Sequence, residues 1–357
     1  MANIPLSASD SAGRPFGSST RRPSRWAQLP KVDLHRHLDC SIRPATLRER
    51  LKEQGVALPE TEAEFRRQFL VTEPMRDLES VLRKFLAAQQ ALSTPDFLTR
   101  VTRECIEDAV AEGIRILELR YAPTFIQDGH EHLSFEDIHA AIVAGVESCR
   151  HLPIAVGLIA ILQRIKPVAV AERVTEFALA HRNTFVGLDL ADNEVGFDAR
   201  PFEACFARAR AGGLRITVHA GEAPSAQAAE NVRIAAERLG AERIGHGIQI
   251  ARDPAMLAWV RERGLVLEVC PTSNVLTQAA ASIAEHPLRR LLDADIKCTL
   301  NTDDPGVFDL DLTHEYDAVA DGLGLTEVEF QRMNEIAARA SFIPLELRQK
   351  VWPSPLS

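Results

Sequence analysis

Four short clusters in this sequence hold residue types that could share a metal ion and move protons. The first is Asp33-Leu34-His35-Arg36-His37-Leu38-Asp39, with its two histidines two residues apart. In a strand, residues i and i+2 point to the same side, so His35 and His37 can meet one cation. The second is His219-Ala220-Gly221-Glu222, directly after the β-branched run Ile216-Thr217-Val218. The third is Gly245-His246-Gly247, whose glycines permit close backbone approach. The fourth is Leu300-Asn301-Thr302-Asp303-Asp304-Pro305. Adjacent carboxylates repel, and burying both without a cation is costly. Singly, each cluster has a plainer reading, such as two satisfied core histidines or a solvated turn before proline. Jointly, imidazoles and carboxylates at the ends of four predicted strands point to a metal site. Three imidazoles and a carboxylate suit zinc with one position left for water. Zinc brings the pKa of that water towards ~7, which supplies hydroxide at neutral pH.

The elements that must position these clusters alternate between short β-like runs and longer amphipathic stretches. Strands are predicted at Val32–Leu38, Ile114–Tyr121, Pro153–Ile161, Val186–Ala191, Arg215–His219, Arg243–Ile248, Val266–Cys270 and Ile296–Asn301. Helical patterns lie between them, including Val168–Ala180, Phe202–Ala211, Ala228–Leu239 before Gly240, and Met256–Arg263 before Gly264. Eight strands alternating with helices predict a (β/α)8 TIM barrel, with a doubly wound sheet as the alternative. The stretch from Arg43 to Thr99 is too long for one crossover and reads as extra helices inserted after the first strand. Insertions there sit on the face that carries barrel active sites. Residues 29–352 are expected to form one such domain, and residues 1–28 a disordered N-terminal extension.

Composition bounds the function less tightly. The chain has 357 residues, 41 basic and 50 acidic side chains and a net charge of −9, which argues against a nucleic-acid or polybasic membrane binder. Apolar runs fall short of the ~18 residues of a membrane helix. Six scattered cysteines without a CxxC pair suggest a reducing cytoplasm. Composition alone does not name the chemistry.

With these residues in view, the sequence resembles the adenosine deaminase family of amidohydrolases from about Leu29 to Val351. Its markers are His35–Asp39, Glu118-Leu119-Arg120-Tyr121-Ala122-Pro123, Asp189-Leu190-Ala191, His219–Glu222, His246, Cys270-Pro271-Thr272-Ser273-Asn274 with Thr277, and Leu300–Pro305. The resemblance implies zinc held by His35, His37, His219 and Asp303, a proton given to purine N1 by Glu222, and a hydroxide oriented by His246 and Asp304. It further implies that Asp304 faces purine N7, Asp39 faces the ribose 5′-hydroxyl, and His37 belongs to the substrate site as well as the metal. Strand four ends Asp189-Leu190-Ala191-Asp192-Asn193-Glu194 without the lysine that bridges metals in binuclear barrels, so one zinc per chain is expected. The implied reaction is deamination of adenosine and 2′-deoxyadenosine to the inosine product and ammonia. Free adenine, or a modified adenosine such as aminodeoxyfutalosine, is the alternative substrate. AMP is disfavoured because Asp39 would repel a 5′-phosphate. Two positions depart from the family pattern, Cys40 and Asp192, each standing where glycine is usual. Cys40 is expected to narrow the pocket or displace the following turn. Asp192 adds a carboxylate near the purine.

Overall fold

Runs of buried β-branched and aliphatic residues bounded by glycine, proline and polar turns extend into eight strands: β1 Lys31–His37, β2 Ile114–Tyr121, β3 Ala155–Gln163, β4 Phe185–Ala191, β5 Arg215–Ala220, β6 Arg243–His246, β7 Val266–Val269 and β8 Lys297–Leu300. The computed structural model describes residues 24–74 and 78–356, without the side chains of 78–82. All neighbours pair in parallel in the order β1 to β8. The ring is closed by a parallel bridge between Arg36 and Asp303. There the His37 amide donates to the Asp303 carbonyl at 2.8 Å, and the Asp303 amide to the His35 carbonyl at 2.9 Å. This is a (β/α)8 barrel.

Strand positions match the sequence reading closely, with two informative differences. The third strand begins at Ala155 and runs on to Gln163, because Pro153 has no amide to give a ladder and Gln163 still pairs with Ala191. The sixth strand stops at His246 rather than Ile248, since Gly247 turns left-handed at φ 66°. Gly264 ends the helix Pro254–Arg263 in the same conformation.

The insertion between the first two strands contains α1 Pro44–Glu53, α2 Glu62–Phe69 and α3 Leu78–Ala91, followed by α4 Pro95–Ala111. Pro44 and Pro95 open their helices, where the missing amide costs nothing. Thr61 and Thr94 cap the amides of Glu64 and Phe97. From α3, the Gln89 side-chain amide donates to the Phe125 carbonyl at 2.7 Å, which ties the insertion to the short helix Pro123–Gln127 that follows β2. Of the expected N-terminal extension, residues 1–23 lie outside the described residues. Trp26 is buried and meets the Phe330 ring edge-on at 4.8 Å.

Apolar side chains fill the layer between strands and helices, whereas the lower barrel interior is charged. Arg243 Nη2 and Nε lie 2.5 Å from Glu118 Oε2 and Glu268 Oε1. Arg120 Nη1 and Nη2 lie 2.8 Å from Asp189 Oδ2 and Glu268 Oε2. All five side chains are at most 1 % exposed, so each charge depends on its partners to offset desolvation.

Candidate active site

The four clusters converge at the C-terminal mouth of the barrel. His35 and His37 come from β1, His219 from β5, His246 from the end of β6, and Asp303 and Asp304 follow β8. His246 and Asp303 adopt left-handed backbone at φ 63° and 66°, a conformation that His and Asp tolerate better than most residues and that clusters at functional sites. At Asp303 it lets one residue bridge to β1 through its backbone and present its carboxylate to both β1 histidines.

Nitrogens and an oxygen point at a common space. His35 Nε2 lies 3.2 Å and His37 Nε2 3.3 Å from Asp303 Oδ1, and His37 Nε2 lies 3.3 Å from His219 Nε2. His246 Nε2 stands 3.8 Å from Asp303 Oδ2. His35 Nε2 is buried, and its approach to Asp303 Oδ1 lacks hydrogen-bond geometry, a costly state for a polar atom unless a ligand meets it. The far ring nitrogens are held from behind: His35 Nδ1 by Glu268 Oε2 at 2.8 Å and His219 Nδ1 by Asp189 Oδ2 at 3.0 Å. These bonds fix each ring with Nε2 forward, the arrangement that metal-binding histidines use. Burial pushes His37 well below the usual imidazole range and His219 down to about 4, leaving the neutral rings a cation needs. Burial would raise Asp303, but His35, His246 and His37 together hold it well below the usual carboxylate range. Ser273 Oγ donates to Asp303 Oδ2 at 2.6 Å. The chemistry of this donor set fits a metal ion, with His35, His219, His246 and Asp303 forming one close group and His37, Asp303 and Asp304 another.

Glu222 flanks the space without joining the nitrogen cluster. Its Oε2 lies 3.6 Å from His246 Nε2, and Thr277 Oγ1 donates to its Oε1 at 3.3 Å. Burial raises its pKa, and of its charged neighbours His246 lowers it while Asp303 and Glu194 add to the rise. Glu194 holds the turn carrying it, accepting from the amides of Gly221, Glu222 and Ala223 at 2.7–2.9 Å. Asn274 Nδ2 lies 3.1 Å from His246 Nδ1, and His286 Nε2 3.1 Å from Asn274 Oδ1, so His246 is oriented through two further side chains. Asp304 is buried and pushed well above the usual carboxylate range, first by burial and then by Asp303 and Asp39. Asp39 is also buried, accepts from the Ala122 amide at 3.1 Å, and is raised by burial to about 7.

These groups line a cavity of about 350 Å³ whose apolar wall includes Phe85, Ala122, Phe125, Ile161 and Phe308. Cys40 forms part of the wall. It sits in the compact turn Leu38–Cys40, closed by the Ser41 amide on the Leu38 carbonyl at 3.0 Å. Its side chain borders the cavity. Asp192 takes φ 83°, a backbone shape glycine favours, and its carboxylate stands at the rim.

The supporting carboxylates Glu268 and Glu194, together with His286, carry no role in the sequence reading, and neither do Ser273, Asn274, Asp189 and Arg120 beyond marking the resemblance. Their signal is a lone charge inside an apolar strand, as in Val266-Leu267-Glu268-Val269, which has no cheap structural explanation. Arg120 bridges the carboxylates behind two different histidines. Arg120→Met is therefore expected to leave Asp189 and Glu268 buried without that cation and to cost about 3–5 kcal/mol. Urea unfolding at neutral pH checks this, and a loss under about 1 kcal/mol would remove Arg120 from the support.

Comparison with known proteins agrees with this geometry. A model of the family described as adenosine deaminase matches residues 30–353. The adenosine deaminase of Erwinia tasmaniensis is 38% identical over 327 residues, covering 91% of this chain and 97% of the relative. Among solved structures, the adenine deaminase of Arthrobacter aurescens superposes with a TM-score of 0.80 at 27% identity, covering 90% of this chain and 98% of that one. The N6-methyl-AMP deaminase of Arabidopsis thaliana does so with a TM-score of 0.78 at 28% identity, covering 91% and 95%. With the barrel, the converging imidazoles and the flanking carboxyl all in place, the chain belongs to the adenosine deaminase family.

Proposed function

We propose that the chain catalyses hydrolytic deamination of adenosine and 2′-deoxyadenosine at purine C6, releasing ammonia, with one zinc ion per chain. The observation that supports this is the clustering of imidazoles at Asp303, with His35 Nε2 at 3.2 Å and His37 Nε2 at 3.3 Å from its Oδ1 and His219 Nε2 3.3 Å from His37 Nε2. Those four residues would hold the zinc. When bound, the ion supplies Lewis acidity that brings the pKa of water towards ~7.

The chain's own groups supply the remaining needs. Attack at C6 moves electron density onto ring N1, which must gain a proton. Glu222, whose hold on a proton is strengthened by burial, gives it to N1. His246, fixed by Asn274, and Asp304 face the same side and orient the attacking oxygen. Asp304 also meets purine N7, and His37 and Asp39 border the sugar end of the pocket. The apolar wall of Ala122, Phe125, Ile161 and Phe308 stacks against the purine and excludes water from it.

Adenosine, 2′-deoxyadenosine, adenine, AMP and aminodeoxyfutalosine, each followed by ultraviolet absorbance and ammonia release, test the substrate. Adenosine is expected to be the preferred one. Asp39→Ala is expected to lower adenosine turnover far more than any turnover of adenine, by as much as about 10⁴ where a buried polar partner is lost. Preference of the unaltered protein for adenine would replace this substrate with the free base.

A further inference from the structure

A run of hydrogen bonds ends on His246, and its direction is fixed from the far end. Leu288 opens the short helix Leu288–Asp293, so its amide has no partner inside that helix. The amide meets His286 Nδ1 at 3.0 Å instead. A backbone N–H only donates, so His286 Nδ1 carries a lone pair. Burial, and then His246, bring His286 down to about 4, and the neutral ring keeps its single proton on Nε2. From there it donates to Asn274 Oδ1 at 3.1 Å. With its oxygen committed, Asn274 turns its Nδ2 to His246 Nδ1 at 3.1 Å. An amide nitrogen donates as well, so His246 Nδ1 must accept. The ring proton of His246 therefore sits on Nε2, facing Glu222 Oε2 at 3.6 Å and Asp303 Oδ2 at 3.8 Å.

Two other rings of the site are wired the opposite way. Behind His35 and His219 stand carboxylates, Glu268 at 2.8 Å and Asp189 at 3.0 Å from Nδ1. A carboxylate accepts, so each neutral ring keeps its proton on Nδ1 and turns a lone pair forward for a cation. Behind His246 stands a donor, and what points forward is a proton. His35, His219, His246 and Asp303 lie close enough to share one ion. Proximity does not separate the ligands from the helper; the group behind each ring does. Asn274 and His286 are buried and are not among the described residues lining the cavity, so they reach the reaction through His246.

We propose that His286 and Asn274 are positioning residues that set the tautomer of His246, making its Nε2 a hydrogen-bond donor to the attacking oxygen instead of a metal ligand or a base. This deepens the reading of the chain as a purine deaminase and rests on it. A preorganised donor aimed at a reacting oxygen contributes about 10²–10³ in kcat, and holding a catalytic imidazole in the wrong tautomer costs up to about 10⁴.

The test has a spectroscopic arm and a kinetic arm. In the zinc-loaded full chain with its histidine nitrogens isotope-labelled, long-range proton–nitrogen correlations at neutral pH should show His246 neutral with its proton on Nε2. Its signals are those missing from His246→Gln. In Asn274→Asp the carboxylate accepts from both neighbours, and a proton should appear on His246 Nδ1. An unaltered chain in which His246 carries a proton on Nδ1, or shows a metal-bound pattern, overturns the proposal.

For adenosine, Asn274→Asp is expected to lower kcat by about 10²–10⁴, with KM and zinc content little changed. His286→Leu should cost about 10–100-fold, as does loss of a partner behind other working histidines. His286→Gln places an amide N–H where Nε2 stands and should recover most of that loss. A kcat unmoved by Asn274→Asp and His286→Leu, or equal losses in His286→Leu and His286→Gln, overturns the positioning role. The spectrum of the unaltered chain decides the tautomer even if a substituted chain fails to fold. If no purine is turned over, the function proposed above falls, while the spectrum still decides the tautomer of His246.

Discussion

Glu222→Gln is expected to lower deamination by about 10²–10⁴, the contribution of a removed general acid, equivalent to roughly 3–5 kcal/mol of transition-state stabilisation. The amide keeps the shape of the side chain and can still accept from Thr277, whose hydroxyl lies 3.3 Å from Oε1. Metal content and nucleoside binding should therefore survive, so that kcat falls and KM changes little. The pH profile supplies a second readout. Burial raises Glu222 above the ordinary carboxylic range, so its acid form persists to higher pH than an exposed glutamate would allow and is lost as pH rises further. The alkaline limb of the kcat/KM profile should contain this loss and change shape in the variant, although limbs of a coupled site belong to the ensemble of groups. Near-normal turnover by metal-loaded Glu222→Gln would leave the N1 proton donor unassigned.

His219→Ala is expected to remove metal and activity together. Its imidazole is held forward by Asp189 and faces His37 Nε2 at 3.3 Å, so the substitution removes a nitrogen already oriented for the ion. Loss of a mere partner of a metal ligand weakens binding by about 10–100-fold, and loss of the ligand should exceed that. Metal analysis after gel filtration reads the stoichiometry directly: one zinc per chain before substitution, and well under one after it. Exhaustive chelation of the unaltered chain should abolish turnover, and added zinc should restore it. Two zinc ions per chain, or full activity after chelation, would refute the assignment.

Much of this was legible in the residues because the relevant periods are short. The spacing of His35 and His37 by two, the β-branched run before His219 and the glycines around His246 each tie a chemical group to a strand end, and eight strand patterns imply a barrel. The supporting shell was not legible. Glu268 reaches His35 across the barrel from a strand 233 residues later, and Glu194 reaches the turn of Glu222 from 28 residues earlier. Such contacts depend on the cross-barrel arrangement of side chains, which local pattern does not encode. The strand ends moved for local reasons, Pro153 at one and Gly247 at the other. The conformations of Asp192, His246 and Asp303 belong to the same class: positive φ at a non-glycine residue is imposed by the closed ring, not announced by the residue type.

The seam between the first and last strands has a consequence for assembly. Asp303 is stitched to His35 and His37 by backbone hydrogen bonds, and the Leu34 amide is met by the Asn301 side chain 267 residues away. Widely separated parts of the chain thus join at the very residues that would grip the ion. Loop closure over so long a span is late and entropically expensive, so no half-formed barrel or truncated fragment can own this site. The reactive centre is in effect a certificate of completion, possessed only by a molecule whose ring has shut.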